Sequence, residues 1–308
     1  MNTDFINVNE VSRQLAHNEM KVVLDSESHY RGQLFKVANK IIKGRKKYKI
    51  LLLGGPSCSG KTTTANLLKE IFESKKLKAI VISMDDFFVD REKTPLLPNG
   101  MKNFDGLVAV NLEQMEQCFK TLFTKGEAKF PRYNFVTGLN EADYYEHKYN
   151  AKNTIIIFEG IHVLNPELIS HLGTDAVFKM YISTLSGFKG ENRTIMNPRQ
   201  IRFVRRMIRD SERRNTNPEK ALVSWQNVCE AEDTYITPFK DDVDYTVNTT
   251  HSYEVALYKS EFFKIMAEYR DILNNLSFLY LFDETISISR DRLPDTTLMW
   301  EFIDKHAK

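Results

Sequence analysis

The feature that most constrains this chain is an octapeptide. Residues Gly55 to Thr62 read GPSCSGKT, which matches G-x-x-x-x-G-K-[ST]. The run before it, Lys49 to Leu53, ends at Gly54-Gly55 and suits a buried parallel strand. Thr62 to Phe72 after it has helical spacing. A strand, a glycine-bearing loop and a helix in that order form an anion site. Gly55 and Gly60 let the backbone of Pro56, Ser57, Cys58 and Ser59 curl, so that amide groups point at phosphate oxygens. Lys61 reaches the outer phosphates, Thr62 offers a hydroxyl to Mg²⁺, and Thr63, in the first helical turn, completes the candidate nucleotide-binding set. The positive end of the helix adds to the same site.

The rest of the chain repeats the alternation of strand and helix. Ala79–Ser83, Thr154–Phe158, Val177–Ile182 and Val243–Val247 read as strands. Leu112–Phe123, Pro198–Arg214 and Pro218–Ile236 read as helices, and Tyr253–Leu281 as mostly helical. Residues 91–110, with Pro95, Pro98 and Asn99-Gly100, read as a loop. The pattern predicts an α/β fold, a parallel sheet flanked by helices. We expect an N-terminal helical arm over 1–46, a core over 47–250 with a helical lid at 198–215, and a helical C-terminal extension over 251–308.

Composition narrows the class. Basic and acidic residues number 43 and 41 of 308, so any basic site is local. The three cysteines, Cys58, Cys118 and Cys229, are widely spaced and read as reduced thiols. The longest apolar runs, such as Ile50–Leu53, fall far short of the ~20 residues of a membrane span. The start, MNTDFINVNE, has no secretory pattern. A cytoplasmic protein without a membrane role is expected.

Two acidic strand ends accompany the loop. Thr154–Glu159 closes on an acid that can hold Mg²⁺. Asp85-Asp86 follows the second strand, where ligands of parallel sheets gather. A carboxylate there can take a proton from an attacking hydroxyl, help organise Mg²⁺, or cap a turn. No N-K-x-D motif of the GTPases is present. Seven arginines fall between Arg199 and Arg214. Arg202, Arg205, Arg206 and Arg209 share a face opposite Ile201, Val204 and Ile208. A phosphate-neutralising lid, a nucleic-acid helix and a solvated face all fit; the missing exposed aromatics weigh against nucleic acid.

Together these segments resemble the uridine kinase and phosphoribulokinase family of P-loop kinases. The resemblance rests on GGPSCSGKTTT, ISMDDFFVDR, NFD, FPRYNFVTG, IIFEGIH and RFVRRMIRDSERR, over about 48–250. TPLLPNG, IHVLNPEL, the segments around Trp225, Glu232 and Pro238, and LPDTTLMWEFI are similar to a bacterial uridine-kinase-like branch. Members of that branch often carry a threonyl-tRNA-synthetase-like N-terminal region, for which the first 45 residues here are too short.

The resemblance implies an ATP- and Mg²⁺-dependent small-molecule kinase. It places Asp85 as catalytic base, Asp105 on ribose hydroxyls, Tyr133 as a base-stacking aromatic and Phe88 beside it. Arg202, Arg205, Arg206, Arg209 and Arg214 fall on the phosphate-clasping lid. Lys61, Arg202 and Arg206 act in catalysis, and Thr62 and Glu159 serve the metal. His162 carries no role in this likeness and reads as a structural histidine.

This sequence also departs from the family pattern. Gly138 and Asn140 stand where uridine kinases have His and Arg, Phe88 stands for the usual Tyr, and Asn215 for Gly. A nucleoside phosphorylated at its 5′-hydroxyl is the expected acceptor. A sugar phosphate held by Arg132 and Lys129 is the alternative, and a non-catalytic ATP sensor the rival from another class. A homo-oligomer is left open.

Overall fold

The computed structural model describes residues 4–191, 194–214, 218–269 and 276–305. Strand β1 (Phe5–Asn7) leads into helix α1 (Val8–Lys43), capped by the Asn7 side chain. The middle of the chain runs β2 (Ile50–Gly54), α2 (Lys61–Ser74), β3 (Lys78–Ser83), α3 (Leu112–Lys125), β4 (Glu127–Asn134), β5 (Leu139–Lys148), β6 (Thr154–Gly160) and α4 (Pro166–Ser170). Then come β7 (Val177–Ser183), β8 (Gly187–Lys189), β9 (Ile195–Met196), α5 (Pro198–Arg214), α6 (Pro218–Tyr235), β10 (Tyr245–Asn248), α7 (Glu254–Glu268) and α8 (Tyr280–Asp283).

Five strands form one parallel sheet in the order β10-β7-β2-β6-β3. The apolar runs foreseen from sequence are its strands, with the phosphate-loop strand β2 at the centre. Both faces are covered. Leu51, Leu53, Ile155 and Ile157 enter one hydrophobic cluster, and Ile50, Leu52, Ile156 and Phe158 the other. Alternate residues thus point to opposite buried faces, so the strands read as continuous apolar runs. Among the described residues no helix is long and apolar enough to cross a membrane.

Three findings depart from the sequence reading. First, β4 and β5 form an antiparallel hairpin that sequence pattern did not reveal. Its register shifts between Phe130 and Arg132, around Pro131, whose missing N–H suits a bulge. Second, the chain beyond α8 is mostly irregular rather than helical, with short turns at Arg290–Arg292 and Leu298–Glu301. Ser289 and Thr297 cap these turns, competing with a longer helix.

Third, the first and last segments pack into the same core as the central sheet. Val23, Leu34, Val37 and Ile41 of α1 are fully buried in one cluster with Leu298, Met299, Phe302 and Ile303. The Tyr30 hydroxyl meets Thr64 Oγ1 at 2.7 Å, and Thr64 donates to Gly60 O at 2.6 Å, tying α1 to the start of α2. Glu27 of α1 accepts from Tyr253 at 2.6 Å and from Thr297. We therefore expect Leu34→Ala to cost about 2–5 kcal/mol of stability in urea unfolding. A solvated arm would lose well under 1 kcal/mol.

Candidate active site

The loop after β2 takes the shape its sequence demands. At Gly55 a β-carbon would lie 2.1 Å from the Ile182 carbonyl oxygen, so no side chain fits. Gly60 has φ +93° and Cys58 φ 58°, which curl the chain into the first turn of α2. Helix α2 has no side-chain cap of its own and no acid in its first turn. Its first turn borders a cavity of about 630 Å³ at the carboxyl ends of β2, β3 and β6.

Ser57, Cys58, Lys61, Thr62, Asp85, Phe88, Asp105, Tyr133, Glu159, Arg206 and Arg209 all line this cavity. Lys61 folds back, its Nζ donating to Pro56 O at 2.9 Å. Thr62 Oγ1 donates to Glu159 Oε1 at 3.3 Å, and Ser83 Oγ to the same oxygen at 2.8 Å. Burial, and then the Asp85 carboxylate, push Glu159 up to about 7. Two carboxylates in one buried site favour the neutral form of one of them. Among the described residues no three His, Cys, Asp or Glu side chains form a metal site by themselves. Mg²⁺ needs no such cage, since one hydroxyl and one carboxylate complete a shell of phosphate and water oxygens. Thr62 and Glu159 fit that pattern.

The structure separates the two neighbouring acids, which residue pattern alone left equivalent and of which the resemblance named Asp85. A short helical turn, Met84–Phe87, follows β3. Asp85 points into the cavity. Asp86 points away, accepting from Tyr145 and, at 3.4 Å, from the Tyr133 amide, so it fastens the β4–β5 hairpin. That hairpin supplies an aromatic wall. Phe88 meets Tyr133 edge-on at 5.5 Å, and Tyr133 meets Phe135 at 5.1 Å. Tyr133 is 4% exposed, and among the described residues its hydroxyl has no partner. Asp105 stands across the cavity, its carboxyl raised by burial and held down in part by Arg206. His162 lies outside the cavity, edge-on to Tyr235, and burial pushes it down to about 4.

The arginine helix departs from a uniform lid. Arg202 and Arg205 are 2% and 0% exposed and do not reach the cavity. Arg202 Nη2 donates to both Glu232 carboxylate oxygens at 2.7 Å, and Nη1 donates to Ser57 O at 3.1 Å. Arg205 pairs with Glu254 and donates to Cys58 O and Thr249 O. Both brace the back of the phosphate loop. Arg206, Arg209 and Arg213, further along the helix, line the cavity. Arg213 was absent from the expected set, although its spacing from Arg206 and Arg209 continues the same helical stripe. The side chain of Arg214 and all of Asn215 lie outside the described residues.

Other expectations also shift. Gly138 (φ +73°) closes the hairpin turn, and Asn140 donates to the carbonyls of Asp86 and Phe88. Neither lines the cavity; Arg91, Phe104 and Phe135 do. Arg132 binds the Tyr144 hydroxyl at 2.7 Å on the outside of the hairpin, and Lys129 borders a separate groove. Glu301, far away in sequence, also reaches the cavity; it lies in the LPDTTLMWEFI segment, for which no site role was read.

Comparison with known proteins finds similar sequences and a similar fold. The model of the phosphoribulokinase/uridine kinase family matches residues 50–256. A uridine kinase of Mycoplasma genitalium is 27% identical over 182 residues, covering 58% of this chain and 74% of that one. A uridine kinase of Ureaplasma parvum is 23% identical over 211 residues, covering 68% and 92%. A Silicibacter structure described as a candidate fructose transport system kinase shares the fold, at TM-score 0.50 and 17% identity. It covers 69% of this chain and 98% of its own.

Two outcomes test the electrostatics. A glutamate titrates near 4.5 when unfolded and Glu159 near 7 when folded. The folded state therefore holds the extra proton between those values, and stability falls as pH rises from about 4.5 through 7. Glu159→Gln should remove roughly 2–3 kcal/mol of that fall in metal-free unfolding curves. Arg205→Met leaves the buried Glu254 without its cation, and should cost about 3–5 kcal/mol. Arg206→Met, on the cavity rim, should cost far less in the same urea titration.

Proposed function

The chain belongs to the phosphoribulokinase/uridine kinase family, whose members phosphorylate a hydroxyl of a nucleoside or sugar, and from that premise we propose an ATP- and Mg²⁺-dependent nucleoside kinase acting on a 5′-hydroxyl. The observation that carries this reading is the gathering of Lys61, Asp85, Glu159 and an aromatic wall around one cavity.

The loop amides and Lys61 hold the triphosphate, once Lys61 leaves the Pro56 carbonyl. Thr62 and Glu159 would hold Mg²⁺, which supplies positive charge to the phosphate oxygens. Asp85 orients the acceptor hydroxyl and receives its proton. The acceptor oxygen forms a bond to the γ-phosphorus as the bond to the ADP oxygen breaks, and ADP departs with those electrons. Arg206 and Arg209 face the charge that spreads over the transferred group. Phe88, Tyr133 and Phe135 offer aromatic edges and faces to a flat base, and Asp105 accepts from ribose hydroxyls.

A nucleoside suits the cavity better than a sugar phosphate. Arg132 and Lys129, the cations a sugar phosphate would need, are spent elsewhere or face another groove. Lys102 lines the cavity but donates to the carbonyls of Glu92 and Thr94, and Arg91 donates to that of Phe135. The base contacts differ from those of uridine kinases, since Gly138 and Asn140 are used to build the hairpin.

The test is ADP release with Mg-ATP across uridine, cytidine, adenosine, guanosine and ribulose 5-phosphate. One nucleoside should drive release, and Asp85→Asn and Lys61→Ala should each lower kcat by about 10²–10⁴. Release driven only by the sugar phosphate would move the acceptor class. ATP binding without acceptor-dependent release would leave a sensor.

A further inference from the structure

The amide groups at the start of α2 already have an anionic partner within the chain. Thr63 N–H, in the first turn, donates to Glu301 Oε2 at 3.0 Å, across 238 residues of sequence. This is the amide that a phosphate loop turns toward the inner phosphates. The helix has neither a side-chain cap nor an acid of its own there.

The segment carrying Glu301 is firmly seated. Leu298, Met299, Phe302 and Ile303 are 0–1% exposed. The Leu298 side chain covers Gly60, where a β-carbon would meet it at 2.5 Å. Arg213, one of the cavity arginines, donates to Trp300 O at 2.6 Å and to Glu301 O at 3.3 Å. Only the half-buried Glu301 side chain is placed to leave, because its neighbours hold the backbone.

We propose that Glu301 is a built-in competitor of the nucleotide, its carboxylate occupying the place of an inner phosphate at Thr63 until nucleotide binding turns it out. The proposal rests on the reading of this cavity as a nucleotide site. Glu301 caps the helix electrostatically in the free protein. Once phosphates enter, the anchored backbone keeps its charge close to theirs, in a cavity that already holds Asp85 and Glu159. The carboxylate therefore stabilises the empty state and opposes the filled one. Affinity for phosphate-bearing nucleotides is then set below what the loop alone would give.

The experiment measures ATP and ADP Kd without Mg²⁺, together with melting temperatures, for the wild-type chain, Glu301→Gln and Glu301→Ala. Circular dichroism checks that both variants fold. The expected result is about tenfold tighter binding of both nucleotides in the variants, with a lower melting temperature when empty and a larger rise on adding ADP. Wild-type binding with unchanged or weaker binding in the variants would overturn the proposal and make Glu301 a simple cap or a nucleotide contact. Failure of every form to bind would overturn the kinase reading itself, and this proposal with it.

Discussion

A tight backbone contact governs this molecule. Gly55 runs so close to the Ile182 carbonyl that a β-carbon would lie 2.1 Å from it, and the loop then turns through Cys58 and Gly60 into α2. The result is a helix start whose amides cannot be satisfied within the helix. Nearly everything around it answers that arrangement. The central position of β2 holds the loop rigidly, Lys61 supplies a movable cation, and the ends of β3 and β6 bring Asp85 and Glu159 to its rim.

The curled loop also turns carbonyl groups toward the protein interior, and these need donors. Arg202 and Arg205 provide them, reaching Ser57 O and Cys58 O. Their own charges are balanced by Glu232 and Glu254, in α6 and α7. The arginine helix thus serves the phosphate loop from two sides. Its buried residues hold the backbone from behind, while Arg206, Arg209 and Arg213 face the cavity. A stripe of arginines therefore does not define one function; depth along the helix divides it.

The site was legible wherever the chemistry lies in consecutive residues. The phosphate loop, the acid at the end of β6 and the paired acids after β3 are each short segments whose residue types follow from phosphate binding. Which of the paired acids faces the cavity was not legible from residue pattern; only the family resemblance named Asp85. A short turn rotates Asp85 toward the cavity and Asp86 toward Tyr145 and the hairpin, and that choice depends on packing between segments some fifty residues apart. What Asn140 does was not legible either: its amide donates to the carbonyls of Asp86 and Phe88 and so serves the hairpin.

The sequence alone determined the fold class, the phosphate loop and the five strands of the parallel sheet, because buried parallel strands and glycine turns leave patterns within a few residues. Only the tertiary structure decided how distant parts meet that loop. It buried α1 against α2, turned two arginines into braces, and delivered Glu301 from the far end of the chain to the amide of Thr63. Such contacts depend on where well-separated segments come to rest, and local periodicity carries no record of that distance.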